Sequence, residues 1–312
     1  MIAIVVPYYN YLFFLQTLES LSLQTDKRFR VYIGDDCSPI SPEEIISQFQ
    51  TSLSVKYKRF ENNLGHYSLS EHWNRCVDLI DNESWIMVLG DDDQLHHQVI
   101  ENFYKNINDI EVSGSNLVRL STIIVNENNL PFSQRYVHPK TEHAKDSMFR
   151  KMRNETRSSL TEYIFSRKSF ERNRFKHYPL AWHSDDIAWL EFSEKKIIFT
   201  INEAIAYIRV TDHSISGNKK NTFLKREANN LFFIYIIKSD FNYTVSEFKY
   251  VINSFAHFLA LYNKFRLKTL IFLVLNCIKN FQLSLTFSII KKFFKYKVSN
   301  TMKFAKLKLK SS

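Results

Sequence analysis

The sequence predicts an α/β fold, a mostly parallel sheet flanked by helices, followed by a helical, basic extension. Three observations carry this expectation. Short apolar runs alternate four times with helix-patterned segments over the first 90 residues, as in strand–helix–strand units. Acidic clusters close the second and fourth runs, at the strand ends where open α/β sheets bind ligands. From about residue 222 the periodicity turns helical throughout.

The elements follow in order. "IAIVVP" (2–7) is a β-branched run stopped by Pro7, a buried strand. Leu12, Leu15, Leu18 and Leu21 step by three and predict a helix. "RVYIGDD" (30–36) is the second strand. In "SPEEIISQF", Ser41 suits an N-cap, Pro42 the first helical position and Glu43–Glu44 the acidic first turn. "VKYKRF" (55–60) is strand three, "SLSEHWNRCVDLI" (68–80) a helix, and "SWIMVLG" (84–90) strand four. Residues 117–125 and 159–167 read as further strands, with a polar loop and a short helix between them. Leu267, Ile271, Val274, Ile278, Phe281, Leu285 and Ile289 form one apolar stripe, with Lys268, Asn276, Lys279 and Thr286 largely opposite. The expected division is 1–218 as the catalytic domain (1–95 one half, 96–218 the other) and 219–312 as the helical extension.

Composition narrows the class. The 312 residues are 45% hydrophobic and 24% charged, a globular balance. Cys37, Cys76 and Cys277 lie far apart with no CxxC. A disulfide framework or a cysteine metal site is therefore not expected, and a reducing compartment fits. The apolar start is too short for a signal peptide and lacks a cationic leader. The net charge of +10 is uneven: 13 Lys or Arg and no acid fall from residue 249 onward, leaving 1–248 at −3. A basic tail points to an anionic partner.

"VLGDDDQLHH" (88–97) puts Asp91, Asp92 and Asp93 behind an apolar strand. Adjacent carboxylates at a strand end suit a divalent cation, Mn²⁺ or Mg²⁺, that takes one or two carboxylates and fills its shell with water and phosphate oxygens. The plainer alternative is a solvated acidic turn. No G-x-G-x-x-G or P-loop pattern occurs.

"VVPYYN", "LQT", "VYIGDDCSP", "ENNLGHYSLSEHWNRC" and "VLGDDDQL" occur in that order. Together they resemble the N-terminal half of family 2 glycosyltransferases with the GT-A fold, most similar to bacterial enzymes that decorate surface polysaccharides. The match is clear over 1–95 and looser over 160–215. The resemblance implies that Pro7 and Tyr9 meet the nucleotide base, and that Asp36, preceded by Asp35, accepts from a base N–H. It places Asn63 and Gly65 against the nucleotide, Asp92 at the ribose, and Asp91 or Asp93, with Asp93 favoured, on the metal. Gly90 stands where many relatives carry the first Asp of D-x-D-D, which blurs these assignments.

"WHSDDIAWLEF" (182–192) resembles the family's acidic pair, with Asp186 at the position of the base that deprotonates the acceptor, beside Asp185. Helix capping is the other use of such acids. Trp182 and His183 are candidates for holding the acceptor sugar, or Trp182 for core packing. "YIRVTDHSISGN" (207–218) resembles the segment that meets the diphosphate or metal, with Arg209 and His213 as candidates, or as ordinary structural residues. No Q-x-x-R-W of processive synthases is present.

The expectation is a metal-dependent, inverting transferase that moves one sugar from a nucleotide-sugar donor, UDP-linked, to a saccharide or lipid-linked saccharide acceptor in lipopolysaccharide- or capsule-type biosynthesis. Its tail would bind an anionic membrane surface, or pack on the catalytic domain. Nucleic acid is not an expected partner, because no recognition motif accompanies the charge. The expected location is cytoplasmic, peripheral on the inner face of the bacterial cytoplasmic membrane. The rival readings are a nucleotidyltransferase, and a non-catalytic membrane adaptor with a transferase-like fold.

Overall fold

The computed structural model describes the chain apart from residues 212, 213, 215, 216, 218–220, 240, 263 and 309–312, with side chains described up to residue 299. Its described residues fall into two compact units, Met1–Ala228 and Asn229–Ser312.

In the first unit, β1 (Ile2–Tyr8) is apolar on both faces and fully enclosed along Ile2–Val6, as a central parallel strand must be. It pairs in parallel with β2 (Phe29–Asp35) and with β4 (Trp85–Val88), and β2 pairs in parallel with β3 (Val55–Arg59). The crossovers are α1 (Phe14–Ser22), α2 (Glu43–Ser47) and α3 (Leu69–Val77). Ser41 sits before α2 with its hydroxyl 3.4 Å from the Glu43 N–H. Leu18 and Leu21 are buried on α1, whereas Leu12 and Leu15 are exposed.

Beyond β4 the sheet continues through β8 (Tyr163–Ser166), β6 (Leu117–Val125), β9 (Ile197–Arg209) and the short β5 (Gln94–Leu95). Strands β6 and β9 are parallel, and β8 runs antiparallel between β4 and β6. The polar stretch 126–158 contains β7 (Thr141–His143), paired with β9, and α6 (Ala144–Met152). Helices α4 (Val99–Lys105) and α5 (Ile107–Ser113) lie between β5 and β6.

One core lies between the sheet and its helices, with Val6, Leu18, Ile33, Met87 and Phe103 among its members. A second cluster is aromatic. Phe165 of β8 packs on Phe170 of α7 (Arg167–Asn173) and on Trp189 and Phe192 of α8 (Ser184–Phe192). The aromatic-rich composition is thus spent on fixing α8 against β8.

Helix α9 (Thr222–Lys238) spans the division between units. The second unit holds α10 (Val245–Leu261), α11 (Leu267–Lys279) and α12 (Leu283–Lys308). Thr244 and Glu247 form a capping box at the start of α10. The expected single stripe from Leu267 to Ile289 is broken. Phe281 adopts φ 55° between α11 and α12, so Leu285 and Ile289 turn inward while Ile271 and Ile278 stay exposed.

Candidate active site

Parallel register aligns Tyr8 with Asp35 and Val5 with Val88, so residues 9–11, 36–38 and 89–93 emerge at the same sheet edge. The three consecutive aspartates differ there. Asp91 accepts hydrogen bonds through Oδ2 from the backbone N–H of Tyr9 (2.8 Å) and Asn10 (2.7 Å). Asp93, 7% exposed, accepts from the Arg209 N–H (2.8 Å) through Oδ1 and from the Thr161 hydroxyl through Oδ2. The Thr17 hydroxyl lies 3.1 Å from the Asp91 carbonyl and 2.9 Å from that of Asp93. Half-buried Asp92 is flanked by these two and receives no hydrogen bond from another described residue.

Burial, reinforced by the charge of Asp93, pushes Asp91 up to about 6 against the pull of its two N–H donors. Burial and the charges of Asp93 and Asp91 raise Asp92 well above the carboxylate range. Such a cluster carries more negative charge than its donors settle, which a cation would relieve. Gly90 makes the arrangement possible. A Cβ there would lie 3.0 Å from Asp93 Oδ2 and 3.1 Å from Asp92 Oδ1.

Two expectations change here. Asp93, favoured on the metal, has both oxygens committed to the fold. Asp92, expected at the ribose, is the carboxylate left open. Arg209, a candidate for the diphosphate or metal or else an ordinary structural residue, is 2% exposed and faces inward. Its guanidinium donates to the carbonyls of Asp92 (2.9 Å), Asn126 (2.8 Å) and Glu127 (3.1 Å), to Gln16 Oε1 (2.8 Å) and to Asn129, and it covers the Phe13 ring at 4.1 Å. These bonds make it a clamp between the 91–93 turn and the 126–129 turn. His213 lies outside the described residues.

The β2 end departs from expectation for the same reason. Asp36 is 2% exposed and accepts from the N–H of Leu64 (2.9 Å) and Gly65 (2.7 Å) and from the Arg75 guanidinium. Burial raises it, and these donors oppose the rise. Its carboxylate is thereby held below the surface between the 64–65 turn and α3. Gly65 is required by Asp36, since a Cβ would fall 2.5 Å from Asp36 Oδ2. Asp35 is fully enclosed, accepting from the Ser38 N–H (2.7 Å), the Tyr57 hydroxyl (2.8 Å) and Arg59 (2.6 Å). Asn63 caps its own turn through the His66 N–H (2.9 Å). Pro7 pairs within the sheet opposite Gly34, and the Tyr9 side chain is 46% exposed beyond it.

On the other side, Asp185 and Asp186 occupy the first turn of α8. Asp186 is 9% exposed, with Lys151 Nζ 2.5 Å from Oδ1 and His183 Nδ1 2.7 Å from Oδ2. Burial opposes its ionisation, but Lys151 and His183 outweigh burial and hold it well below the carboxylate range. Half-buried Asp185 is pushed up to about 6 by burial and by the charge of Asp186. His183 enters the helix at φ 73°, which turns its ring back onto Asp186. The Trp182 ring carries Lys225 Nζ at 4.7 Å. A cavity of about 20 Å³, room for roughly one water, lies beside Asp186 among Ser147, Lys151, Ser158, Tyr163 and Trp189.

Sequence reasoning missed Lys151, Thr161, Thr17 and Arg75. Lys151 and Thr161 fall in segments without a motif, and only the fold brings them to Asp186 and Asp93. The start of β8 and the turn before it join the two sides: Thr161 of the turn meets Asp93, and Tyr163 of β8 stacks on Trp189 at 4.2 Å.

A mostly parallel sheet with acidic strand ends defines an α/β protein that takes its ligand at the carboxyl edge of the strands. Residues 3–178 match the model described as glycosyl transferase family 2. The chain belongs to that family and is a glycosyltransferase. Among solved structures it is similar to S. aureus TarS 1–349 in complex with UDP-GlcNAc, at 16% identity and TM-score 0.60, covering 83% of this chain and 71% of that one. It is also similar to S. aureus TarS, at 17% identity and TM-score 0.57, covering 83% of this chain and 43% of that one. No curated protein sequence matches.

Proposed function

We propose that this glycosyltransferase is metal-dependent and inverting. It moves one sugar from a UDP-sugar to a saccharide or lipid-linked saccharide during lipopolysaccharide- or capsule-type polysaccharide synthesis, at the inner face of the cytoplasmic membrane. The observation that carries the reading is Asp92, an open carboxylate between two that the fold has committed. The UDP complexes of TarS support the choice of donor.

Asp92, with the unengaged Oδ1 of Asp91, would hold Mn²⁺ or Mg²⁺. Among the described residues no group of three or more His, Cys, Asp or Glu side chains could bind a metal. That fits an ion which completes its shell with water and phosphate oxygens. When bound, such an ion supplies positive charge against a departing nucleoside diphosphate.

The exposed Tyr9 ring offers a stacking surface at the end of β1. Asp186 serves as base. The acceptor oxygen bonds to the anomeric carbon, the bond from that carbon to the diphosphate breaks, and the acceptor proton passes to Asp186. Lys151 and His183 keep Asp186 ionised and fix its direction.

The test is calorimetric titration of UDP with and without Mn²⁺, on wild type, Asp92→Asn and Asp186→Asn. The expected result is metal-dependent binding that Asp92→Asn abolishes and Asp186→Asn retains. Failure of UDP and every other nucleoside diphosphate to bind with metal present would sink the donor-site reading and leave the adaptor in its place.

A further inference from the structure

Helices α11 and α12 each have a buried face, and each also presents apolar side chains to solvent. Helix α11 buries Leu270, Leu273 and Cys277, yet leaves Leu267, Ile271 and Leu275 at least half exposed. Helix α12 buries Leu285, Ile289 and Phe293, yet exposes Phe287 at 73%. The turn joining them carries Phe281 at 91% exposure. Single exposed apolar residues need no explanation, but a run along two helices and their connecting turn marks an interaction surface.

The charges beside this run narrow the partner. Lys268, Lys279, Lys291 and Lys295 are exposed on the same two helices, and no acid occurs from residue 249 to the end. A second copy would bring like charges together, which opposes pairing through this face. A nucleic acid would leave the apolar run without a partner. An anionic bilayer satisfies both features, taking apolar groups at the acyl boundary and lysines at the headgroups. Among the described residues no helix is long and apolar enough to cross a membrane.

We infer that the α11–α12 hairpin is a monotopic anchor. Its outer face and the Phe281 tip enter one leaflet of an anionic membrane, and the flanking lysines hold the headgroups. This deepens the membrane placement proposed above. It does not depend on Asp92 or Asp186, so vesicle binding and UDP binding can fail separately.

The experiment is vesicle flotation of the full chain with phosphatidylcholine alone and with mixed phosphatidylcholine–phosphatidylglycerol, at low and high salt. The chain is expected to float with the mixed vesicles and to be released by salt. Phe281→Ser with Phe287→Ser should weaken that binding at least about tenfold, with UDP binding unchanged. Lys291→Gln with Lys295→Gln should weaken it roughly 20-fold or more at low salt. Phe281→Trp provides a check free of any loss of function. Its added emission should be quenched by brominated lipid above the baseline of Trp73, Trp85, Trp182 and Trp189. The inference is overturned if the chain ignores the mixed vesicles, or if the double serine variant binds them as wild type does. It is equally overturned if sedimentation shows a dimer that the serine variant dissolves while vesicles have no effect.

Discussion

Replacing Lys151 with Met tests how the Asp186 site is built. Lys151 Nζ lies 2.5 Å from Asp186 Oδ1, and their side chains are 31% and 9% exposed. Removing one partner of a buried ion pair costs about 3–5 kcal/mol, because the other charge is stranded. The partial exposure of Lys151 lowers this toward about 2–3 kcal/mol. At about 2–4 °C per kcal/mol for a unit of this size, Lys151→Met should lower Tm by about 4–12 °C, read by calorimetry or circular dichroism. Asp186→Asn with Lys151→Met strands no charge and should recover most of that loss. The same double variant should stay about 10²–10⁴-fold below wild type in kcat, since the proposed base is gone. A Lys151→Met variant within about 2 °C of wild type, or a double variant no more stable than the single, would refute the claim that these two side chains act as one unit.

Three further outcomes follow from the geometry. Asp92→Asn should leave stability unchanged or higher, because it relieves repulsion, whereas Asp93→Asn should lower stability by about 1–3 kcal/mol through the loss of its bonds to Arg209 and Thr161; urea midpoints separate the two. Burial raises the folded-state ionisation of Asp185 to about 6, so its neutral form favours folding below the usual carboxylate range and that contribution is lost as pH rises through 6. Asp185→Asn should therefore be more stable than wild type at pH 8, with the two thermal midpoints converging near pH 4. Gly65→Ala forces a Cβ to 2.5 Å from Asp36 Oδ2 and should cost about 1–3 kcal/mol, seen as a lower urea midpoint at unchanged slope.

The first four strands were legible because each is a short apolar run closed by a turn or an acid, and because both faces of a parallel strand are buried. The order of the second half was not. Nothing in "SLTEYIFSR" says that β8 inserts antiparallel between β4 and β6, since that depends on contacts across more than 40 residues. The acidic motifs were legible as residues but not as roles. Sequence alone treats Asp91, Asp92 and Asp93 alike, whereas Tyr9, Asn10, Thr161 and Arg209 engage the outer two and leave the middle one. Arg209, left between a ligand contact and an ordinary structural role, is buried because a 13-residue strand ends there, under the 126–129 turn. The tail stripe misled by one turn, because the left-handed Phe281 divides a helix that periodicity draws as continuous.

Strand β8 has a consequence for anyone recombining such enzymes. Thr161, in the turn before β8, and Tyr163, the first residue of β8, are two positions apart; Thr161 is hydrogen-bonded to Asp93 and Tyr163 stacks on Trp189 of α8. A chimera with its crossover at residue 95 would inherit Asp93 from one parent and Thr161 from the other. A crossover inside 160–166 would instead split the Tyr163–Trp189 stack from its setting. The exchangeable module is therefore not a stretch of sequence ending between the halves. It is residues 1–95 together with residues 161–166, carried over as a discontinuous graft.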